Sequence, residues 1–407
     1  MPEQATLKRA FTLPLLTLYG LGTILGAGIY VLLGGVAGSA GVHAPLAFLL
    51  AAVLAGFSAF SYAELSARFP LSAGEAVYTQ RAFGRAWLAT LVGLLIISIG
   101  VVSTATLLNG FVGYLQVFWP LPEWLIIVLV LGLLSGVSMW GISQSAWLAA
   151  VTTLIGVAGL VLIIAVGAPA FEPGVMLSRV LLPSADLITL SGILGGAFIA
   201  FYAYIGFEDI VNVAEEVREP SRNLPRAVLL ALLISTLLYV LVTLAALSVL
   251  SPAQLAQSSA PLALVYQQAT GSEPVVITLI GLVAVINGAL IQIIMASRVL
   301  YGMAAQGWLP NGLARVNPRT RTPLRSTALV SGVILLLALW LPLLTLAEIT
   351  SLITLVVFSL VNLALWRIKR RDPRPVGIVV FPLWLPVAGC LFSLALVLFQ
   401  LWQRVTA

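Results

Sequence analysis

Apolar stretches of about 20 residues recur along the whole chain, and this repetition limits the possible folds more than any other feature. A helix of that length crosses a hydrocarbon core roughly 30 Å thick and satisfies its own backbone polar groups. Of the 407 residues, 61% are hydrophobic and only 8% are charged, so few polar residues remain to cover a water-soluble surface. The sequence predicts an all-α polytopic membrane protein without a separate soluble domain.

The apolar windows predict about 11 membrane spans. The predicted spans cover residues 11–37, 44–68, 85–116, 122–141, 144–168, 187–212, 225–250, 275–305, 325–342, 346–368 and 379–402. The first window is longer than the apolar core of a signal peptide and leads into a second window. We therefore interpret it as the first membrane helix.

Basic residues predict the orientation, because Lys and Arg near span ends are retained on the cytoplasmic side. If the N-terminus is cytoplasmic, all of the 20 Lys and Arg residues fall on that side except Arg179, Arg298 and Arg404. We expect a multi-pass protein of the plasma (inner) membrane, with its C-terminus outside. This topology explains the net charge of +6, and the scattered basic residues do not indicate a nucleic-acid partner.

Few residues are suited to catalysis or metal binding. The single cysteine, Cys390, lies in an apolar run, and the single histidine, His43, lies in a predicted outer loop. Metal binding and histidine base catalysis both need partner residues that this sequence hardly contains. We therefore predict no metal site, no cofactor and no enzymatic activity.

Glycines interrupt the first span, "GLGTILGAGIYVLLGG", and the sixth, "GGAFIAFYAYIGFEDIV". Close helix packing explains any single membrane glycine. The two interruptions, however, lie in the first of five spans and the first of the next five, which is typical of inverted-repeat proteins with discontinuous helices. We predict one domain, 1–407, with two inverted five-helix repeats, about 11–168 and 187–368, and an extra span, about 379–402.

A break in a membrane helix exposes amides at the start of one half-helix and carbonyls at the end of the other, so paired breaks suit a zwitterionic ligand. The amides expected to hold its carboxylate are those of Gly26, Ala27, Gly28 and Ile29. The carbonyls expected to hold its ammonium group are those of Thr23, Ile24, Tyr202, Ala203 and Ile205.

Four stretches resemble, in order, the amino acid, polyamine and organocation (APC) superfamily of secondary transporters. They are "GAGIY" in the first span, "YAELSARFPLSAGEAVYTQRAFG" at 62–84, "FYAYIGFEDIVNVAEEVREPSRNLPRAV" around the sixth span and "ASRVLYGMAAQGWLP" at 296–310. The resemblance covers roughly residues 11–370. It implies two inverted repeats and alternating access, with substrate between the first, third, sixth, eighth and tenth spans.

The resemblance implies the same substrate seat as the backbone argument. The matching positions are Gly26, Ala27 and Gly28 for the carboxylate and Ile24, Tyr202, Ala203 and Ile205 for the amine. Tyr202 also matches an aromatic that covers the substrate on the outer side, so it is the candidate gate, with helix packing as the alternative. Ala27 departs from the serine of several relatives and offers only its amide.

The coupling ion is predicted from polar residues in the spans. Sodium is disfavoured, because the eighth span has no hydroxyl from Val283 to Ala296, whereas sodium-coupled relatives place hydroxyls there. Glu208, just after the sixth-span break, is the candidate for proton coupling, since an ionisable residue inside a membrane indicates a function. The alternatives are that it stabilises the start of the inner half-helix or pairs with a loop arginine, and that transport proceeds by exchange without proton coupling.

The third, eighth and tenth spans carry no acidic residue near their centres, which favours a neutral amino acid over a cationic one. The alternatives are a carrier of polyamines or other organic cations and a sensor that binds amino acids without transporting them. The inner basic loops are expected to contact lipid headgroups, and no obligatory partner subunit is evident.

Overall fold

The computed structural model describes residues 11–25, 28–71, 74–140, 146–184, 186–305, 307–317 and 322–406. Within these ranges the chain forms 16 α-helices, joined by short 3₁₀ segments and loops. In chain order they are α1 Leu13–Leu25, α2 Gly28–Ala40, α3 Ala44–Arg68, α4 Gly74–Phe83, α5 Ala86–Leu115, α6 Glu123–Trp140, α7 Ala146–Gly167, α8 Pro173–Leu181, α9 Leu187–Tyr202, α10 Pro220–Val249, α11 Pro252–Gln257, α12 Pro261–Thr270, α13 Val275–Ala305, α14 Leu324–Trp340, α15 Leu343–Arg371 and α16 Trp384–Thr406.

Each predicted span corresponds to one of these helices, to a pair of them, or to a helix followed by a 3₁₀ segment. In the described part of the chain, 8 helical runs are long and apolar enough to cross a membrane, and α1, α6 and α14 are shorter apolar helices. The first span consists of α1 and α2, and the sixth consists of α9 and a 3₁₀ segment at Phe207–Glu216. The prediction of an all-α polytopic membrane protein is confirmed, and the division into two repeats stays a prediction.

Four short helices were not predicted, because each has at most 10 residues and escapes a window that searches for spans. Three of them, α8, α11 and α12, begin with proline, whose fixed φ suits the first turn of a helix. The fourth, α4, packs against α5 and α15. Since successive spans cross in opposite directions, α4 lies on the same side as the start of α1, here called the N-terminal side.

The centre of the bundle consists of α5 packed along α13 and α15, α10 packed on α3 and α1, and α2 packed on α9. Small residues allow these close approaches, as membrane helix interfaces require. For example, Gly100 of α5 faces Ala296 of α13, and Gly196 of α9 faces Ala40 and Ala47. The two interrupted spans therefore lie at the centre of the protein.

A buried ionic network fastens α16 to the bundle. Glu64 of α3 is fully buried and accepts hydrogen bonds from Lys369 Nζ at 2.7 Å, Arg68 Nη2 at 2.7 Å and the Phe381 amide at 3.0 Å. Lys369 of α15 also donates to the Phe381 carbonyl. A buried charge is tolerated when it is paired and hydrogen-bonded, so this network joins α3, α15 and the segment before α16.

We predict that Lys369→Met lowers the stability of the protein by about 3 kcal/mol, because the Glu64 carboxylate then loses one of its two cationic partners. The measurement is the midpoint of thermal unfolding of the purified protein in detergent. Arg374→Met, at an exposed position of the following loop, serves as the matched control and should leave the midpoint unchanged. An equal midpoint for Lys369→Met and the control would contradict the role given to the network.

Candidate functional site

The interruption of the sixth span lies against the two helices, α1 and α2, that flank the predicted interruption of the first. α1 ends at Leu25 and α2 begins at Gly28. α9 ends at Tyr202, and four residues then form tight turns before the 3₁₀ segment that begins at Phe207. Two residues of the expected carboxylate seat, Gly26 and Ala27, lie outside the described residues.

A glycine of each break packs on the backbone of the other. A Cβ atom added to Gly28 would lie 2.3 Å from the Ala203 Cα, and one added to Gly206 would lie 2.7 Å from the Thr23 carbonyl carbon. Gly206 also has a φ of +127°, which favours glycine over residues with a side chain. The close approach of the two breaks therefore depends on these two glycines.

Hydroxyl groups connect the two breaks. The Thr23 hydroxyl donates to the Gly20 carbonyl and to the Gly206 carbonyl, both at 2.8 Å. The Tyr239 hydroxyl, from α10, lies 3.0 Å from the Ile24 carbonyl oxygen and 2.8 Å from that of Ala203. One carbonyl beside each break thus lies next to the same tyrosine hydroxyl, and the two oxygens share its single proton.

Several of the carbonyl oxygens expected to hold the ammonium group of a ligand accept hydrogen bonds from the protein itself. The Ile24 and Ala203 carbonyls accept from Tyr239, and the Tyr202 carbonyl accepts from the Ile205 amide at 3.1 Å. A carbonyl oxygen has two lone pairs and can accept a second hydrogen bond. Ile29 is buried at the start of α2. The role of these residues in ligand binding stays a prediction.

The candidate gate, Tyr202, is closed against α5. Its side chain is buried, and its hydroxyl lies 2.9 Å from the Ser103 Oγ and 3.2 Å from the Ser103 carbonyl. Beside it is a cavity of about 10 Å³ lined by Thr23, Ser103, Leu107, Tyr202, Ile205, Gly288, Ile291 and Gln292. That volume fits about one water molecule, so this space is nearly closed in the present conformation.

A larger cavity of about 440 Å³ lies on the N-terminal side of the breaks. It is bounded by α4, by α5 and by the second half of α13, and Ile291 lines both this cavity and the small one. Polar and charged side chains in its wall come from Tyr19, Glu75, Gln80, Asp209, Asn212 and Arg298. A large cavity therefore lies on the N-terminal side of the breaks, and only a water-sized cavity lies beside Tyr202.

Glu208 lies directly after the break in the sixth span and is buried. Its Oε2 accepts a hydrogen bond from the Gly206 amide at 2.8 Å. This contact matches the structural alternative, in which the carboxylate satisfies an amide at the start of the inner half-helix. Asp209, the next residue, accepts from the Gln292 side-chain amide at 3.4 Å. Proton coupling by Glu208 stays a prediction.

Two residues of this region were missed by the sequence analysis. Tyr239 lies in the middle of an apolar span, where an aromatic residue does not differ in pattern from a packing residue. Glu75 lies in α4, a short polar helix between two predicted spans, and is buried on the N-terminal side of the breaks. Three carboxyl groups, of Glu75, Glu208 and Asp209, line one further cavity of about 10 Å³.

We predict that Gly28→Ala separates the two breaks and destabilises the protein by about 1–3 kcal/mol, the usual cost of overpacking. The added methyl group would meet backbone atoms of Ala203, which cannot rotate away. Thermal unfolding of the purified variant measures this cost. Gly132→Ala is the matched control, since its added methyl group meets no atom within 4 Å. Equal midpoints for the two variants would contradict the close packing of the breaks.

The chain was compared with known proteins. The family model described as amino acid permease matches residues 11–406. An uncharacterized transporter of Mycobacterium tuberculosis is 32% identical over 91% of this chain and 84% of its own length. The branched-chain amino acid permease of Bacillus subtilis is 28% identical over 96% and 88%, and the vacuolar cationic amino acid transporter 2 of Arabidopsis thaliana is 29% identical over 90% and 61%. The chain belongs to the amino acid permease family of the APC superfamily, and it is a membrane permease rather than an enzyme.

Proposed function

We propose that this permease carries neutral L-amino acids across the plasma (inner) membrane by alternating access, with the substrate bound at the paired breaks. The observation that carries the proposal is the interlocked pair of breaks, at which Gly28 packs on Ala203 and Gly206 packs on Thr23. Membrane proteins place irregular backbone at this depth where it is covered by protein or lines a cavity.

The two sides of the breaks support alternating access. On the N-terminal side the cavity of about 440 Å³ is within the usual range for pockets that hold small molecules. On the other side the Tyr202 hydroxyl is bonded to Ser103 of α5. In our interpretation the conformation is open towards the N-terminal side, and the distribution of Lys and Arg supports a cytoplasmic location for that side. Opening to the outside would then require Tyr202 to leave Ser103.

The small cavity favours a neutral side chain. Its wall combines apolar residues, Leu107, Ile205 and Ile291, with the polar groups of Ser103 and Gln292, and none of the described residues that line it is charged. The names of the relatives include a branched-chain permease and a cationic amino acid transporter, so they support amino acids without deciding between these classes. Burial of an unpaired cationic side chain beside Leu107 and Ile291 would cost several kcal/mol.

The test is counterflow in proteoliposomes that contain the purified full chain and are preloaded with unlabelled amino acid. Labelled neutral, cationic and acidic L-amino acids and a polyamine are added outside, with protein-free vesicles as the control. We expect neutral amino acids to accumulate transiently inside the vesicles. Entry of the polyamine alone would indicate a carrier of polyamines or other organic cations. Tight binding of amino acids without any flux would indicate a sensor.

We further propose proton coupling through Glu208. Its carboxylate accepts the Gly206 amide at the break, so its protonation changes a hydrogen bond at the proposed substrate seat. Glu208→Gln keeps an acceptor for that amide and removes the titration. With an inward gradient of one pH unit, one coupled proton sustains up to about tenfold accumulation of substrate, since a pH unit is worth about 1.4 kcal/mol.

We predict that Glu208→Gln abolishes this gradient-driven accumulation in the same vesicles. Glu219→Gln is the matched control, because Glu219 is exposed in the loop before α10. The control should accumulate substrate as the unmodified protein does. If Glu208→Gln accumulates as much substrate as the control, proton coupling through Glu208 is contradicted and its role is structural.

A further inference from the structure

Three carboxyl groups meet on the N-terminal side of the breaks, and they come from two separate parts of the chain. Glu75 belongs to α4, and Glu208 and Asp209 begin the 3₁₀ segment after the second break. Their side chains line a cavity of about 10 Å³ together with Tyr62 and Gln292. The residues are 2%, 8% and 3% exposed, respectively, so the cluster is shielded from solvent.

No salt bridge reaches any of the three carboxyl groups among the residues that the structure describes. The cationic side chains of neighbouring helices line the larger cavity or bind other groups. Arg298 of α13 lines the larger cavity, Arg68 and Lys369 bind Glu64, and Arg371 of α15 donates to the Ala82 carbonyl at the end of α4. The groups that face the cluster from α1, α3 and α4 are the phenols of Tyr19, Tyr62 and Tyr78, while α5 contributes apolar residues. Three carboxylates buried without a cation repel one another, so protonation stabilises the cluster.

Several polar atoms of this cluster lack a well-formed hydrogen bond within the described part of the chain. They are the Glu75 Oε2, the Tyr62 hydroxyl, the Tyr78 hydroxyl and the Gln292 Oε1, all buried. Glu75, Tyr62 and Gln292 line the cavity of about 10 Å³ next to Glu208, which is distinct from the one beside Tyr202 and has room for about one water molecule. A water placed between these carboxyl groups can carry a proton from one to another.

Glu75 connects the buried cluster to the open cavity. It lines both the cavity of about 10 Å³ with Glu208 and the cavity of about 440 Å³, whereas Glu208 lines only the former. Asp209 lines both cavities as well, but its Oδ2 accepts from the Gln292 side chain. Glu75 is therefore the acid with an unpartnered oxygen at the boundary between the buried cluster and the open cavity.

We propose that Glu75 is the group through which this permease exchanges the coupled proton with the N-terminal side, a proposal that rests on the proposed proton-coupled transport. The Glu75 carboxylic acid gives its proton to water in the larger cavity and becomes a carboxylate. It is then reprotonated from Glu208 or Asp209 through the water-sized cavity. The substrate seat and the proton site are thus joined by the 3₁₀ segment that carries Gly206, Glu208 and Asp209.

The acidity of Glu75 is suited to this role. Burial raises the pKa of the Glu75 carboxyl to about 7, and an interaction with the Tyr62 hydroxyl acts in the opposite direction. A group that titrates near neutral pH both binds and releases a proton under ordinary conditions. Glu75 is protonated below that pH and charged above it.

The test uses Glu75→Gln in the full chain, reconstituted in proteoliposomes that contain a pH-sensitive dye. Addition of a neutral amino acid should acidify the lumen for the unmodified protein, and the signal should fall to that of protein-free vesicles for Glu75→Gln. Glu75→Asp should restore part of the signal. Glu219→Gln, at an exposed position on the same side, is the matched control and should behave as the unmodified protein.

A second variant tests the same acid when Glu75→Gln does not fold. Tyr62→Phe removes the hydroxyl that lowers the pKa of Glu75, so the midpoint of the pH profile of counterflow should move to higher pH. An unchanged midpoint, or a proton signal in Glu75→Gln equal to that of the control, overturns the proposal. If the proton signal is lost in Glu208→Gln but kept in Glu75→Gln, the role proposed for Glu75 is overturned, whereas the role proposed for Glu208 is supported. Counterflow without any proton signal in the unmodified protein overturns the coupling itself, and absence of counterflow overturns the transport proposal.

Discussion

The need to satisfy irregular backbone inside a membrane is the constraint on which the rest of this structure depends. The sixth span is interrupted after Tyr202 at the centre of the bundle, and the polar groups freed there have no water from the lipid side. The chain meets this need by packing the breaks on each other, with Gly28 against Ala203 and Gly206 against Thr23, and by placing the Tyr239 hydroxyl between two carbonyls. A movement at one break therefore changes the packing and hydrogen bonds of the other.

Two groups of buried acids on the N-terminal side differ in their partners. Glu64 is surrounded by Lys369, Arg68 and an amide, so its charge is compensated and it holds three parts of the bundle together. Glu75 forms no salt bridge with a described residue and shares a water-sized cavity with two further acids. Full pairing suits the first group to a structural role, and incomplete pairing is the basis of the proton exchange proposed for the second.

The sequence predicted the long apolar helices of the described chain, because the length and composition of a span follow directly from bilayer thickness. It also predicted the break in the sixth span from its glycines, whereas the break predicted in the first span falls on residues 26 and 27, outside the described residues. It missed α4, which is too short and too polar to be recognised as a buried element, and with it the position of Glu75. It missed Tyr239 as well, because its role depends on two carbonyls from other helices. Contacts between distant segments leave no periodic pattern in a single sequence.

The closure at Tyr202 consists of contacts between its hydroxyl and Ser103 of α5. A neutral hydrogen bond contributes only about 1 kcal/mol net, which corresponds to a population ratio of about five. In the proposed transport cycle, such a contact favours the arrangement in which Tyr202 rests on Ser103 over the one in which it has moved away, but only weakly. A molecule that replaces this hydrogen bond with one of its own would make the two arrangements nearly equal in free energy, and exchange between them would then proceed by thermal fluctuation.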